Sequence, residues 1–201
     1  MTIRVAHDFT CPWCWVGLFQ AKDLAREFGA TIDWVGYELW PLDLDWPAPS
    51  PAAPEPDKPS NKPQTPSRMD LAYAAQGMEP PTATRPRRMR TNNVHQAVEF
   101  AKTVGVQDEF IERLYRALWE QGREINAPDV LRELASGLMD ADAMLVAVEE
   151  VRYRDQVVGF DDPAYASGVY NVPTFFIGEE RYAGQPLTVL RKAVRGALAE
   201  A

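Results

Sequence analysis

Two cysteines are the whole thiol complement of this 201-residue chain, and they stand three positions apart in Cys11-Pro12-Trp13-Cys14. So close a pair cannot be the framework of disulfides that holds a small secreted fold together, so its chemistry is local: a redox centre or half of a metal site. A thiol exchanges disulfides only as the thiolate, and an unperturbed cysteine of pKa about 8.5 is mostly protonated at neutral pH. Cys11 stands where an apolar strand pattern runs into a helical one. The unpaired N–H groups and the positive dipole end of a helix start favour an anion there. Cys14, one turn further in, is placed to attack a mixed disulfide formed at Cys11. The spacing thus supplies a nucleophile, Cys11, and a resolving thiol, Cys14. Pro12 and Trp13 between them set the stiffness of the turn and tune the potential.

A second feature lies far downstream. Val172-Pro173-Thr174 immediately precedes a strand, where a proline suits neither a helix nor a central strand, and a cis Pro173 in a loop facing Cys11 accounts for it. The competing zinc or iron–sulfur reading of the cysteines normally needs four protein ligands, and His7 and His95 are the only other soft candidates; no metal is expected. His7 sits on the strand leading to Cys11 and is read as a satisfied sheet histidine before a partner of the thiolate, and His95 as packing. Trp13 and Trp15 flank the dithiol as a docking surface, with Trp15 equally suited to the core. The run Arg85, Arg87, Arg88 and Arg90 reads first as a solvated loop, with an acidic peptide or a glutathione carboxylate as its alternative ligand.

The elements that must carry these residues follow from periodicity. Residues 3–9 read as a strand and 12–28 as a helix, with Pro12 in the first turn and Gly29 at the C-terminal cap; 31–39 form a second strand, parallel to the first. Residues 41–66 hold nine of the 17 prolines and form an extended arm. From about 91 the period is helical: Val94, Ala97, Val98, Ala101 and Val104 make one stripe, and Phe110, Leu114 and Leu118 another. Asn126 is expected to cap a helix at 127–136 and Asp140 one at 141–150. A hairpin of 174–177 and 180–183 precedes a terminal helix, 187–199, with Leu187, Leu190, Val194 and Leu198 inward. The order βαβ, helical block, ββα is an α/β thioredoxin fold: a mixed central sheet of about four strands with an all-helical insertion. The expected division is a discontinuous thioredoxin-fold domain, 1–40 and 168–201, a Pro-rich arm, 41–66, and the helical insertion, 67–167.

Lys and Arg total 21 against 29 Asp and Glu, a formal charge of −8, which argues against nucleic-acid and anionic-membrane surfaces. The start MTIRVAHDF lacks the pattern of a signal peptide and no run of apolar residues is long enough to span a membrane, so the expected location is the cytoplasm.

Three stretches together, Asp8-Phe9-Thr10-Cys11-Pro12-Trp13-Cys14-Trp15, Leu114 through Ile125 (LYRALWEQGREI) and Gly168 through Ile177 (GVYNVPTFFI), resemble the DsbA-like thioredoxin family, particularly its FrnE-type branch. The resemblance implies a thiol:disulfide oxidoreductase acting on protein or small-molecule disulfides or dithiols. It makes Cys11 the nucleophile and Cys14 the resolving residue, and it has the backbone of Val172, before Pro173, pair with the substrate. It implies no cofactor beyond the two cysteines, with glutathione admitted as a co-substrate, and a monomer or homodimer. The family often has Gly before the Val-Pro pair, where this chain has Asn171, and the hairpin turn at Gly178 is shortened. The alternatives are a glutathione-dependent transferase or isomerase, like the kappa-type relatives that generally carry serine at the first position, and a holdase or metal-binding module without turnover.

Overall fold

The structure, a computed structural model, describes residues 1–46, 65–159 and 169–200. Strand β1, Thr2–His7, leads into helix α1, Pro12–Phe28, and strand β2, Thr31–Glu38. Four helices follow: α2, Arg68–Ala75; α3, Asn92–Thr103; α4, Gln107–Trp119; and α5, Pro128–Ala135. Helix α6, Ala141–Glu149, a 3-10 turn at Arg154–Gln156 and strand β3, Val158–Gly159, close the middle of the chain. Strands β4, Thr174–Ile177, and β5, Glu180–Ala183, then form the hairpin before helix α7, Leu187–Ala199.

The sheet runs in the order β3-β2-β1-β4-β5. β1 pairs in parallel with β2 and antiparallel with β4, so both of its edges are bonded and it is the central strand. That position explains its composition: Ile3, Val5, Ala6 and His7 are all buried, a near-continuous run in place of a clean alternation. Strand β3, inside the stretch expected to be all helical, makes five strands where about four were expected. Two residues are too few to show a period, and their extended state comes from parallel pairing with Tyr37 and Glu38.

Helix α1 starts on Pro12, whose missing N–H is one the first turn could not use, and ends at Gly29, held in the left-handed region at φ 63°. Its buried residues pack it against β2, α2, α4 and α7, while α3 lies on β2 and α7 on β4. Asp140 caps α6 through Ala143 N. Asn126 does not cap α5: the N-cap is Ala127, Pro128 takes the first helical position, and the Asn126 backbone carbonyl instead accepts from Asn93. Val104 leaves the expected stripe because α3 stops at Thr103, and it is 52 % exposed; Leu198, in the last turn of α7, is 45 % exposed. Residues 47–64 of the expected Pro-rich arm, and the domain boundary near 168, lie outside the described residues. At the arm's base Arg90 donates to the carbonyls of Trp40 (2.8 Å), Pro41 and Leu44 (3.1 Å) and lies over Trp46. One member of the basic run is thus a strut of the fold.

Candidate active site

The loop between β1 and α1 turns because Asp8 holds it. One carboxylate oxygen of Asp8 accepts from the Thr10 amide and hydroxyl, both at 2.8 Å, and the other from Leu39 N at 2.7 Å and the Thr91 hydroxyl at 3.2 Å. A buried carboxylate with four donors is a rigid anchor, and it ties the loop to the ends of β2 and α3. Helix α4 secures the same loop from another side. The Tyr115 hydroxyl donates to the Asp8 carbonyl (3.3 Å), and Trp119 Nε1 donates to the Phe9 carbonyl (2.9 Å).

Cys11 is the N-cap of α1, in extended conformation, with its amide on the Asp8 carbonyl and its own carbonyl accepting from Cys14 N at 3.0 Å. Cys14 is inside the first turn. The two thiols are not bonded to one another, and they differ in access: Cys11 is 7 % exposed and Cys14 1 %. They also differ in acidity. The hydrogen bond from Cys14 lowers the Cys11 pKa, helped by the Cys14 and Trp13 amides and opposed by burial and the Asp8 charge. Burial first, then the hydrogen bond and charge of Cys11, push the Cys14 thiol well above its ordinary value. The more accessible sulfur is therefore the better thiolate, and the buried one is its donor.

The loop before β4 completes the site. The Val172–Pro173 peptide bond is cis, and the Cys11 thiol points at the Val172 carbonyl oxygen, 3.5 Å away across 161 positions of sequence. Pro173 rests on α1, where a Cβ at Gly17 would come within 3.1 Å of its ring. The fold thus brings Cys11, Cys14, Val172 and Pro173 together. Pro12 lies in the first turn, and Trp13, half-buried, shares with Pro173 the wall of a cavity of about 520 Å³. Trp15 is core, nearly parallel to Trp119 at 6.3 Å.

His7 does not serve the thiolate directly. Its Nδ1 is 2.9 Å from the Tyr115 hydroxyl, while its Nε2 and both nitrogens of His95 are buried without a partner among the described residues. Burial lowers the pKa of both histidines, that of His95 to about 4. Glu38, also buried, accepts from the amides of Thr91 and Asn92, and burial raises its pKa. Among the described residues no group of three or more His, Cys, Asp or Glu side chains is arranged to hold a metal ion. Sequence reasoning had missed Tyr115 and Trp119, which flank rather than form the α4 stripe, and the anchoring role of Asp8. The last had a local signal, an Asp two residues before a Thr whose amide it captures.

Residues 2–195 match the DsbA-like thioredoxin domain. In sequence the chain is similar to the uncharacterized protein YwbO of Bacillus subtilis, 25 % identical over 182 residues, spanning 88 % of this chain and 86 % of the relative. In structure it is similar to a probable DsbA oxidoreductase from Streptomyces coelicolor, with a TM-score of 0.72 and 23 % identity over 100 % of this chain and 91 % of that one. It is also similar to the cytosolic disulfide reductase DsbM of Pseudomonas aeruginosa solved with GSH, with a TM-score of 0.62 and 18 % identity over 97 % and 100 % of the two chains.

Proposed function

The chain belongs to the DsbA-like thioredoxin domain family, and on that premise we propose that it is a thiol:disulfide oxidoreductase working through a mixed disulfide on Cys11 resolved by Cys14. In the reducing direction the Cys11 thiolate attacks one sulfur of a substrate disulfide, forming a Cys11–substrate bond and releasing the other sulfur as a thiolate that takes up a proton. Cys14 then loses its proton and attacks Cys11, and the second substrate sulfur leaves. Two electrons pass from the dithiol to the substrate, leaving a Cys11–Cys14 disulfide. The oxidising direction is the same sequence reversed, and its direction follows the potential of the partner couple.

The observation that carries the reading is the asymmetry of the pair: the more exposed Cys11 is favoured as thiolate and lies against the Val172 carbonyl, while Cys14 is buried and held protonated. The Val172 backbone beside the sulfur is suited to pair with an extended substrate strand, and the wall of Trp13 and Pro173 to receive its side chains. The FrnE-type branch and a cytoplasmic setting belong to this reading through the motif and the two-cysteine composition. The test is trapping: Cys14→Ser incubated with a peptide disulfide accumulates a one-to-one mixed disulfide at Cys11 by mass spectrometry. Its absence, with Cys11 still alkylatable, would remove the proposal.

A further inference from the structure

Resting on the exchange reading above, we propose that the cavity beside Thr10, walled by Arg85 and Arg87, binds a carboxylate of the substrate, so that the site selects peptide-like disulfides with acidic residues next to the reacting cysteine.

The first observation is the distribution of charge. Acidic residues outnumber basic ones, 29 to 21, yet neither of the two cavities flanking the dithiol loop has an Asp or Glu in its wall. The cavity of about 380 Å³ beside Thr10 carries Arg85 and Arg87, and the one beside Trp13 and Pro173 carries Arg68 and Arg191. The two share no wall residue, so cationic groups stand both at Thr10, before Cys11 in the chain, and at Trp13, after it.

The second observation is that three of these four arginines, Arg68, Arg85 and Arg87, hold no carboxylate among the described residues. Across the rest of the surface most arginines are neutralised in place: Arg4, Arg26, Arg113, Arg116, Arg123 and Arg132 all hold carboxylates, and Arg191 holds Glu27. Arg68, Arg85 and Arg87 form no ion pair among the described residues. In a chain with an excess of carboxylates, guanidiniums without an ion pair among the described residues, in the walls of the cavities at Thr10 and Trp13 next to the two cysteines in sequence, are a local reversal of charge, the arrangement that captures anionic partners and steers them in.

The third is that the cavity is built in place. The Arg85 guanidinium lies 3.7 Å from the centre of the Trp119 ring, and Trp119 is the residue whose Nε1 donates to the Phe9 carbonyl of the dithiol loop. Stacking leaves the edge of the guanidinium free to donate to a carboxylate. The backbone behind it is seated against Gly122, at φ 69°, where any Cβ would stand 2.3 Å from the Thr84 carbonyl oxygen. Thr10, in the cavity wall, adjoins Cys11 directly. A carboxylate on Arg85 or Arg87 therefore belongs to a residue close to the substrate sulfur.

The test uses the full chain and peptide disulfides that differ only beside the cysteine, as Glu, Gln or Lys. The Glu peptide is expected to exceed the Gln peptide in kcat/KM by roughly tenfold, the worth of one charge-assisted contact, and Lys to fall below Gln. The Glu-to-Gln ratio should drop toward one in high salt and in Arg87→Gln, an exposed side chain outside the packing, as well as in Arg85→Gln. A readout independent of turnover is alkylation of Cys11: iodoacetate relative to iodoacetamide should react faster than with a free cysteine peptide, and the advantage should shrink in the same variants. Equal turnover of the Glu and Gln peptides, or an alkylation ratio like that of free cysteine, would overturn this inference and leave the exchange reading standing. Failure of all three peptides to exchange would remove both.

Discussion

Gly17 and Pro173 are in direct contact: a Cβ at position 17 of α1 would lie 3.1 Å from both Cβ and Cγ of the proline that follows the Val172 carbonyl. The absence of a side chain at Gly17 is what lets the substrate-side loop sit down on the helix that carries both cysteines.

Gly17→Ala is accordingly expected to slow exchange. Alanine gains up to about 1 kcal/mol of helix propensity, and overpacking a seated contact costs about 1–3 kcal/mol. The net is a loss of roughly 1 kcal/mol, read by denaturant titration, together with a lower rate of mixed-disulfide formation as Pro173 lifts away from Cys11. A more stable variant with an unchanged rate would show that the loop does not need this seat.

Cys11→Ser should abolish exchange, and Cys14→Ser should retain a nucleophile that no longer resolves. Both side chains are small and neither is cross-linked, so both variants should unfold cooperatively. Mass spectrometry of the quenched reaction distinguishes them, and accumulation of substrate on Cys14 in the first variant would reverse the assigned order.

The pH profile of Cys11 alkylation should have its midpoint below that of a free cysteine, about 8.5. Because the Cys14 hydrogen bond is the largest cause of the lowering, Cys14→Ala should move the midpoint upward. A midpoint that is ordinary in the native chain, or unmoved by Cys14→Ala, would contradict the proposed activation.

Stability should rise with pH between about 4 and 6.5. His95 takes a proton in the folded state only near its pKa of about 4, mainly because it is buried, whereas the unfolded chain takes one near 6.5, so acid favours unfolding across that window. The displacement corresponds to about 3 kcal/mol at its acid end, at about 1.4 kcal/mol per pKa unit, and His7 acts in the same direction. Glu38 opposes them: with its folded pKa raised, its contribution is present at low pH and lost as pH rises through that value. Chemical denaturation at a series of pH values should therefore give a flatter dependence for His95→Asn and a steeper one for Glu38→Gln.

Much of this molecule was legible along the chain because the signals are local. Helix α1 begins at Pro12 and ends before Gly29, β4 and β5 have the expected bounds, and α7 spans 187–199, since capping, proline placement and periodicity act over a few residues. The pairing of Cys11 with Cys14 is of the same kind. Local patterns failed where a residue's environment is supplied by distant backbone: two residues become β3 by pairing with β2, Asn126 gives up its cap, and Val104 and Leu198 turn outward at helix ends. The Val172 carbonyl reaches Cys11 only because β4 pairs with β1. The four donors on Asp8, the Tyr115 hydroxyl on its carbonyl and the stacking of Arg85 on Trp119 likewise join separate elements. Sequence alone could place a dithiol at a helix start, because that needs only neighbours in the chain. Which groups surround it, and what charge they present, was decided by the folding of remote segments onto one loop, since hydrogen bonding and burial depend on distance in space.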